Sequence, residues 1–244
     1  MRYFIELSYD GTLYHGWQIQ PNGRSIQETT QKALSTLLRK DVEIVGAGRT
    51  DTGVHAQKMV AHFDWNDECD IDTSQLVYKL NKILPSDIAI QKVYQVEDSM
   101  HARFSAKSRT YHYFLHFGKK PFSRHYSWEM FCRLNFDAMN KCTKILQEFN
   151  DFTSFSKTNT DTKTNLCTIF DAKWEEIAPD EWRFSIKANR FLRNMVRAIV
   201  GTMVEVGRGR MSVEDFRNVI EQKNRCSAGE SVPGHALFLV DIEY

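Results

Sequence analysis

Apolar and polar positions along the chain mark its elements before any composition is counted. Residues 2–9, Arg-Tyr-Phe-Ile-Glu-Leu-Ser-Tyr, read as a strand ended by the turn at Asp10-Gly11. A helix follows from Ser25, where Ser25-Ile26-Gln27-Glu28 has the form of a capping box, with serine and glutamate each placed to satisfy an orphan amide. Ile26, Ala33, Leu34, Leu37 and Leu38 make its apolar stripe. Residues 42–47 read as a second strand, and 58–65 as a third with Met59, Ala61, Phe63 and Trp65 on one face. Asp72 or Thr73 caps a helix buried through Leu76, Val77, Leu80 and Ile83, and 88–96 reads as a fourth strand.

The second half repeats the order. Strand 108–117 precedes a helix near 135–148, strands near 167–176 and 182–188, a helix over 190–206, a short helix from Ser212 and a closing strand at 236–243. Each half therefore reads β-α-β-β-α-β. The fold class expected is α+β: two such halves sharing a mixed, mostly antiparallel sheet with helices on one face and a central cleft left for a ligand. Residues 1–105 form the first half and 106–244 the second. The polar run from Ser156 to Asn165 reads as an exposed loop or linker.

Composition narrows the class without choosing a partner. The 244 residues are 42% hydrophobic and 12% aromatic, as in a globular protein. Lys and Arg number 32 against 31 Asp and Glu, a net charge of +1, so any nucleic-acid surface has to be local. The five cysteines, Cys69, Cys132, Cys142, Cys167 and Cys226, form no C-x-x-C pair and read as reduced, mostly buried thiols. Glu6 interrupts the N-terminus before a signal-peptide core is reached, and no apolar stretch approaches the roughly eighteen residues of a membrane span. The expectation is a soluble, cytoplasmic protein.

Three segments concentrate chemistry. Gly46-Ala47-Gly48-Arg49-Thr50-Asp51-Thr52-Gly53-Val54-His55-Ala56 lies between two expected strands and holds three glycines with Arg, Asp and His. Glycines allow unusual backbone angles and close approach of a ligand, but Asp51 in such a loop also serves as an ordinary turn cap. In the second segment, Lys107 and Arg109 lead into a strand whose alternating face carries Tyr111, Tyr113, Leu115 and Phe117. Rings on a strand stack on bases, and more often simply fill a core; at most one of the two tyrosines need be functional. In the third, Arg190, Arg193 and Arg197 fall together on one face of the expected helix 190–206, a patch for phosphate or for solvent. His15 and His55 sit in loops, where they contact substrate or cap turns, and His112 and His116 lack a clustering carboxylate, so no metal site is expected.

Taken in order, these segments resemble the TruA-type tRNA pseudouridine synthases. The likeness runs through Tyr9-Asp10-Gly11-Thr12-Leu13-Tyr14-His15-Gly16-Trp17-Gln18, Gln20-Pro21-Asn22-Gly23-Arg24-Ser25-Ile26-Gln27 and Gly48-Arg49-Thr50-Asp51-Thr52-Gly53-Val54-His55-Ala56. It continues through Leu80-Asn81, Leu84-Pro85, His101-Ala102-Arg103-Phe104-Ser105-Ala106, Arg109-Thr110-Tyr111-His112-Tyr113, Asp151-Phe152-Thr153-Ser154-Phe155 and Met195-Val196-Arg197-Ala198-Ile199-Val200-Gly201. The resemblance implies an isomerase that detaches uracil from its ribose, rotates it and rejoins it through carbon, with neither metal nor organic cofactor. It implies Asp51 as catalytic nucleophile or base, Tyr111 packed on the flipped uracil and Arg197 paired with the aspartate. Arg49, His55, Arg24, Lys107, Arg109, Arg190 and Arg193 are the expected RNA contacts. A glycosidase needs a second carboxylate as acid and admits water, whereas this loop holds one acid. The resemblance further implies homodimers acting on the anticodon stem-loop of several tRNAs, around tRNA positions 38 to 40. One departure stands near the end: His235-Ala236-Leu237-Phe238-Leu239 replaces a glycine followed by Leu-Tyr-Leu, so Phe238 keeps a ring without the hydroxyl. A non-catalytic RNA-binding module is the rival from another class; the presence of Asp51, Tyr111 and Arg197 together favours the enzyme.

Overall fold

A computed structural model of the protein describes residues 1–66, 70–157 and 164–244, so Cys69 and most of the polar run 156–165 lie outside the described residues. The chain divides into two compact units, Met1–Lys107 with Leu239–Tyr244, and Ser108–Phe238. The fold is α+β: five α-helices and nine strands among the described residues, in mixed and mostly antiparallel pairing.

In the first unit β1 (Arg2–Tyr9) lies between β3 (His55–Asp64) and β4 (Ile88–Val96), antiparallel to both. Opposed side chains make the ladder cohere: Tyr3 faces Phe63, their rings stacked with centroids 5.4 Å apart. Helices α1 (Ile26–Leu38) and α2 (Thr73–Ile83) complete the unit. The Ser25 hydroxyl accepts from the Glu28 amide at 3.2 Å, but the Glu28 carboxylate pairs with Lys32 at 2.5 Å, so the reciprocal half of the expected capping box goes to a surface ion pair. Asp72 caps α2 by accepting from Gln75 N at 3.0 Å. Ile83 is exposed rather than buried, its place in the core taken by Leu84 just past the helix end.

The strand expected at 42–47 shrinks to β2 (Val45–Gly46), paired with β3. Upstream, helix α1 takes over the role of a neighbouring strand. Val42 N donates to the Ser35 hydroxyl at 3.0 Å and Ile44 N to the Gln31 side chain at 3.1 Å, while the Gln27 amide donates to Ile44 O at 2.8 Å. Backbone groups so satisfied by side chains have no need of a ladder. β3 begins at His55, three positions before the expected 58, because Ala56 already pairs with Tyr9.

The last strand, β9 (Leu237–Glu243), counts with the first unit from Leu239 onward. Lys107 N donates to Glu243 O at 2.8 Å, Lys58 pairs with Asp241 at 2.8 Å, and the Tyr244 hydroxyl donates to Ala102 O at 2.7 Å.

In the second unit β8 (Glu181–Ala188) runs antiparallel between β5 (Ser108–Phe117) and β7 (Ile169–Ala178), and the short β6 (Trp128–Met130) adds parallel to β5. Pro179-Asp180, with Asp180 left-handed at φ 63°, closes the β7–β8 hairpin. Three helices pack here: α3 (Phe136–Leu146), α4 (Met195–Gly207) and α5 (Val213–Glu221). Asn135 caps α3 through Ala138 N at 3.0 Å, and α5 carries a full capping box between Ser212 and Asp215. The Phe136 and Trp182 rings stack with centroids 3.4 Å apart. Every residue of α4 except Arg197 and Glu205 is buried.

Helix α4 corrects a second expectation. It starts at Met195, not at 190, because Asn194 is left-handed at φ 67° and breaks the helical run. Residues 189–194 instead form a turn tied to the edge of β7, with Asn189 N donating to Thr168 O at 3.1 Å and Thr168 N to the Asn189 side chain at 2.8 Å. Arg190, Arg193 and Arg197 therefore do not share a helical face.

Candidate active site

The Asp51 loop is shaped by what its glycine neighbours lack. Residues 47–54 run against the segment 11–17, where Trp17 N donates to Thr50 O at 3.2 Å and Gly53 N to Tyr14 O at 3.4 Å. A Cβ on Gly11 would stand 2.1 Å from Val54 O, and one on Gly16, whose φ is +89°, 2.3 Å from Thr50 O. Only glycine permits that approach. Inside the loop Val54 N donates to Asp51 O at 3.1 Å, and Ala47 N donates outward to Val60 O at 2.8 Å. The Thr50 hydroxyl meets the Tyr9 hydroxyl at 2.9 Å in the core. Thr50 is thereby pinned inward, and Asp51 follows it half-buried while Arg49 is exposed on its other side. A carboxylate carried on backbone fastened at both flanks is pre-positioned for chemistry.

His55 closes the loop from below. It is 1% exposed, its Nδ1 lying 3.0 Å from Gly11 N and 3.0 Å from Asp10 Oδ1. One nitrogen cannot both accept from the amide and donate to the carboxylate, so the tautomer decides which contact is a hydrogen bond. Either way the imidazole holds the Tyr9-Asp10-Gly11 turn that faces Asp51's loop. Arg24 is exposed at the start of α1, its guanidinium 4.9 Å from the Tyr14 ring centroid. Tyr14 in turn donates to Asp87 at 2.7 Å, and burial with that partner pushes its hydroxyl pKa up.

The second unit presents Tyr111 and Arg197 on quite different supports. Tyr113 is fully buried and its hydroxyl donates to Pro233 O at 3.1 Å, so of the two tyrosines it is the core one. Tyr111 is half-buried, its ring edge-on to Phe191 with centroids 5.1 Å apart. Phe191 belongs to the turn 189–194, and Arg109 fastens that turn to β5 by donating to Asn189 O at 2.8 Å. Arg197 sits in the first turn of α4 with its Nε donating to Val232 O at 2.7 Å. Arg193 is exposed, Arg190 half-buried beside Cys167, and Lys107 exposed with its ammonium donating to Tyr244 O at 3.2 Å.

The segment 225–233, which carries no recognisable motif, is the scaffold for Arg197. Arg225 donates to Gly229 O at 3.1 Å and to the Ser231 hydroxyl at 2.9 Å, while Asn194 reaches the same hydroxyl at 2.5 Å. A Cβ on Gly201 would stand 1.8 Å from Glu230 O, so this glycine lets the segment lie flat on α4. The signal available in the sequence was the small-residue run Ser227-Ala228-Gly229 after an arginine, too common to single out.

No group of three His, Cys, Asp or Glu side chains converges to hold a metal among the described residues. Cys142 and Cys167 are buried thiols with pKa values pushed up by burial to about 12 and about 11, and Cys132 and Cys226 are exposed and free.

The profile of a family described as tRNA pseudouridine synthase matches residues 7–105 and 149–244. The chain belongs to that family. As a tRNA pseudouridine synthase it is an isomerase that turns uridine into pseudouridine in tRNA. It is 58% identical to tRNA pseudouridine synthase A of Bacteroides fragilis, over 100% of this chain and 96% of the relative. The same-named protein of Bacteroides thetaiotaomicron is 57% identical over 100% of this chain and 90% of its own. Across a wider distance, that of Bacillus subtilis is 40% identical, covering 100% and 99%. The family profile includes both the Asp51 loop and the α4 region of this synthase.

Proposed function

We propose that Asp51 is the catalytic carboxylate and that the uridines modified lie in the anticodon stem-loop, around tRNA positions 38 to 40. What supports the reading most directly is the clamped loop, which presents one half-buried acid on backbone held by Gly11, Gly16 and Thr50. In the reaction the N1–C1′ bond breaks, uracil turns, C5 bonds to C1′, and the proton on C5 is transferred away as N1 gains one. Atoms and charge balance without a co-reactant. Asp51 attacks C1′ or removes the C2′ proton, and in either role it is regenerated at the end.

Tyr111 stacks on the extruded uracil, recovering part of the few kcal/mol that unstacking costs. Arg197 is the basic residue of the catalytic set, its guanidinium suited to orienting a carboxylate. Arg49, exposed two residues before Asp51, together with Arg24, Lys107, Arg190 and Arg193 meets phosphates of the RNA. His55 and Arg109 act through other groups, the first holding the Asp10-Gly11 turn and the second the 189–194 turn. The protein works without cofactor, as a homodimer, in the cytoplasm; no helix of the described residues is long and apolar enough to cross a membrane.

The test is position-by-position mapping of pseudouridine in unmodified tRNA transcripts. Asp51→Asn, nearly isosteric, should lower single-turnover formation by at least roughly a thousand-fold while tRNA affinity stays near wild type. Wild-type rates in that variant would overturn the assignment of Asp51, and modification confined to other arms of tRNA would overturn the stem-loop assignment.

A further inference from the structure

Between β5 and β6 the chain leaves the sheet as Gly118-Lys119-Lys120-Pro121-Phe122-Ser123-Arg124-His125-Tyr126-Ser127. Two backbone turns shape it, Ser123 N to Lys120 O at 3.1 Å and Tyr126 N to Ser123 O at 2.9 Å, and the Arg124 guanidinium bonds the Pro121 carbonyl. Lys120 anchors its base to Glu181 at 3.1 Å. The loop thus holds a defined form and yet carries Phe122 at its tip, 97% exposed, with Lys119, Arg124 and His125 also exposed around it. From Phe117 to Trp128 the sequence contains no acid.

A phenyl ring wholly in water contributes nothing to the fold that displays it. A ring among cations fits a polyanion with flat bases, since stacking is indifferent to sequence and the cations take the flanking phosphates. A second copy of this chain fits less well, because a twofold contact centred on the loop would set its cations against their own images.

We propose that this loop is a second tRNA contact, in which Phe122 stacks on an unpaired base and Lys119 and Arg124 hold the adjoining phosphates. It rests on tRNA being the substrate, as the family requires, but not on the role of Asp51. Phe117 and Tyr111 lie on one strand six residues apart, about 20 Å at ~3.3 Å per residue. The loop therefore grips the RNA away from the nucleotide being isomerised and acts on which tRNAs are held, not on the bond made.

The experiment uses the full-length protein and a tRNA transcript, with affinity measured across a salt series and single-turnover rates measured against enzyme concentration. Phe122→Ala should weaken binding about ten-fold, with Phe122→Trp restoring it. Lys119→Ala with Arg124→Ala, which leaves the ring in place, should flatten the slope of log affinity against log salt by about 1.5. In both, the loss should appear in the concentration for half-saturation, whereas Asp51→Asn spares affinity and removes the chemistry. Unchanged affinity and slope in both variants would overturn the proposal. So would a change in sedimentation that makes the loop a contact between copies.

Discussion

The Asp51 loop and the Arg197 region solve the same problem by opposite means. The first is positioned by backbone: absent Cβ atoms at Gly11 and Gly16 let two chain segments meet carbonyl to amide, and the side-chain bond from Tyr9 to Thr50 is only a secondary tie. The second is positioned by side chains reaching across sequence to carbonyls, Arg197 to Val232, Tyr113 to Pro233 and Arg109 to Asn189, around a helix that is almost wholly buried. A short acid on a fastened backbone has few torsions left to fix. A long arginine loses much rotamer freedom when it is ordered, and its carbonyl anchor fixes part of it in the folded protein.

The contrast can be broken most severely at the glycines. Gly16→Ala would drive a methyl into Thr50 O in a left-handed backbone, costing roughly 3 kcal/mol of stability and moving Asp51. We expect single-turnover pseudouridine formation to fall at least about a hundred-fold at a temperature where the variant is still folded. Gly201→Ala, with its methyl against Glu230 O, should destabilise by a comparable amount but cost less rate, because Arg197 retains its helix while its Val232 anchor shifts. Thermal melts beside rate measurements decide this, and equal rate losses would erase the distinction.

Smaller effects sharpen it. Tyr9→Phe and Tyr113→Phe each delete one buried hydroxyl contact, at 2.9 Å to Thr50 and 3.1 Å to Pro233. Each should cost about 1–2 kcal/mol. Only Tyr113→Phe should also slow turnover, by about three- to ten-fold, since the 232–233 segment that holds Arg197 depends on such side-chain bonds. A rate loss in Tyr9→Phe as large as in Tyr113→Phe would mean that side chains, not backbone, hold the Asp51 loop.

The smallest difference lies in response to acid. His62 in the first unit and His112 in the second both have pKa values lowered to about 4, chiefly by burial, with Arg2 and Arg183 respectively adding repulsion. Their folded pKa values lie below the unfolded value of about 6.5, so the stability tied to their neutral forms is complete above about pH 6.5 and drains as pH falls toward 4. Melting temperature should drop over that window, and His62→Gln and His112→Gln should each flatten the profile. A profile unchanged by either substitution would assign the acid loss to other groups.

How much was legible can be judged from two stretches. Residues 42–47 carry the alternation of a strand, yet the deciding partners were Gln27, Gln31 and Ser35 on α1, polar side chains whose reach no local pattern announces. Residues 190–206 carry a helical stripe throughout, but the turn at Asn194 and the bonds from Asn189 to Thr168 hold the first five residues out of the helix. The three arginines were thus visible as residues and misplaced as a face. The segment 225–233, by contrast, was not legible, because its role is to meet a helix distant in sequence.

The order of elements apart from the short β6, the capped starts of α1, α2 and α5, and the motifs that mark the family were determined by the chain on its own, because periodicity, caps and turns are local and repeat the same physics wherever they occur. The tertiary structure decided which tyrosine of β5 is core and which is half-exposed, that His55 is a buried brace, and that the glycines near Asp51 serve close approach between segments. Those outcomes depend on atoms brought within a few ångströms from positions tens of residues apart, and a one-dimensional pattern carries no record of that distance.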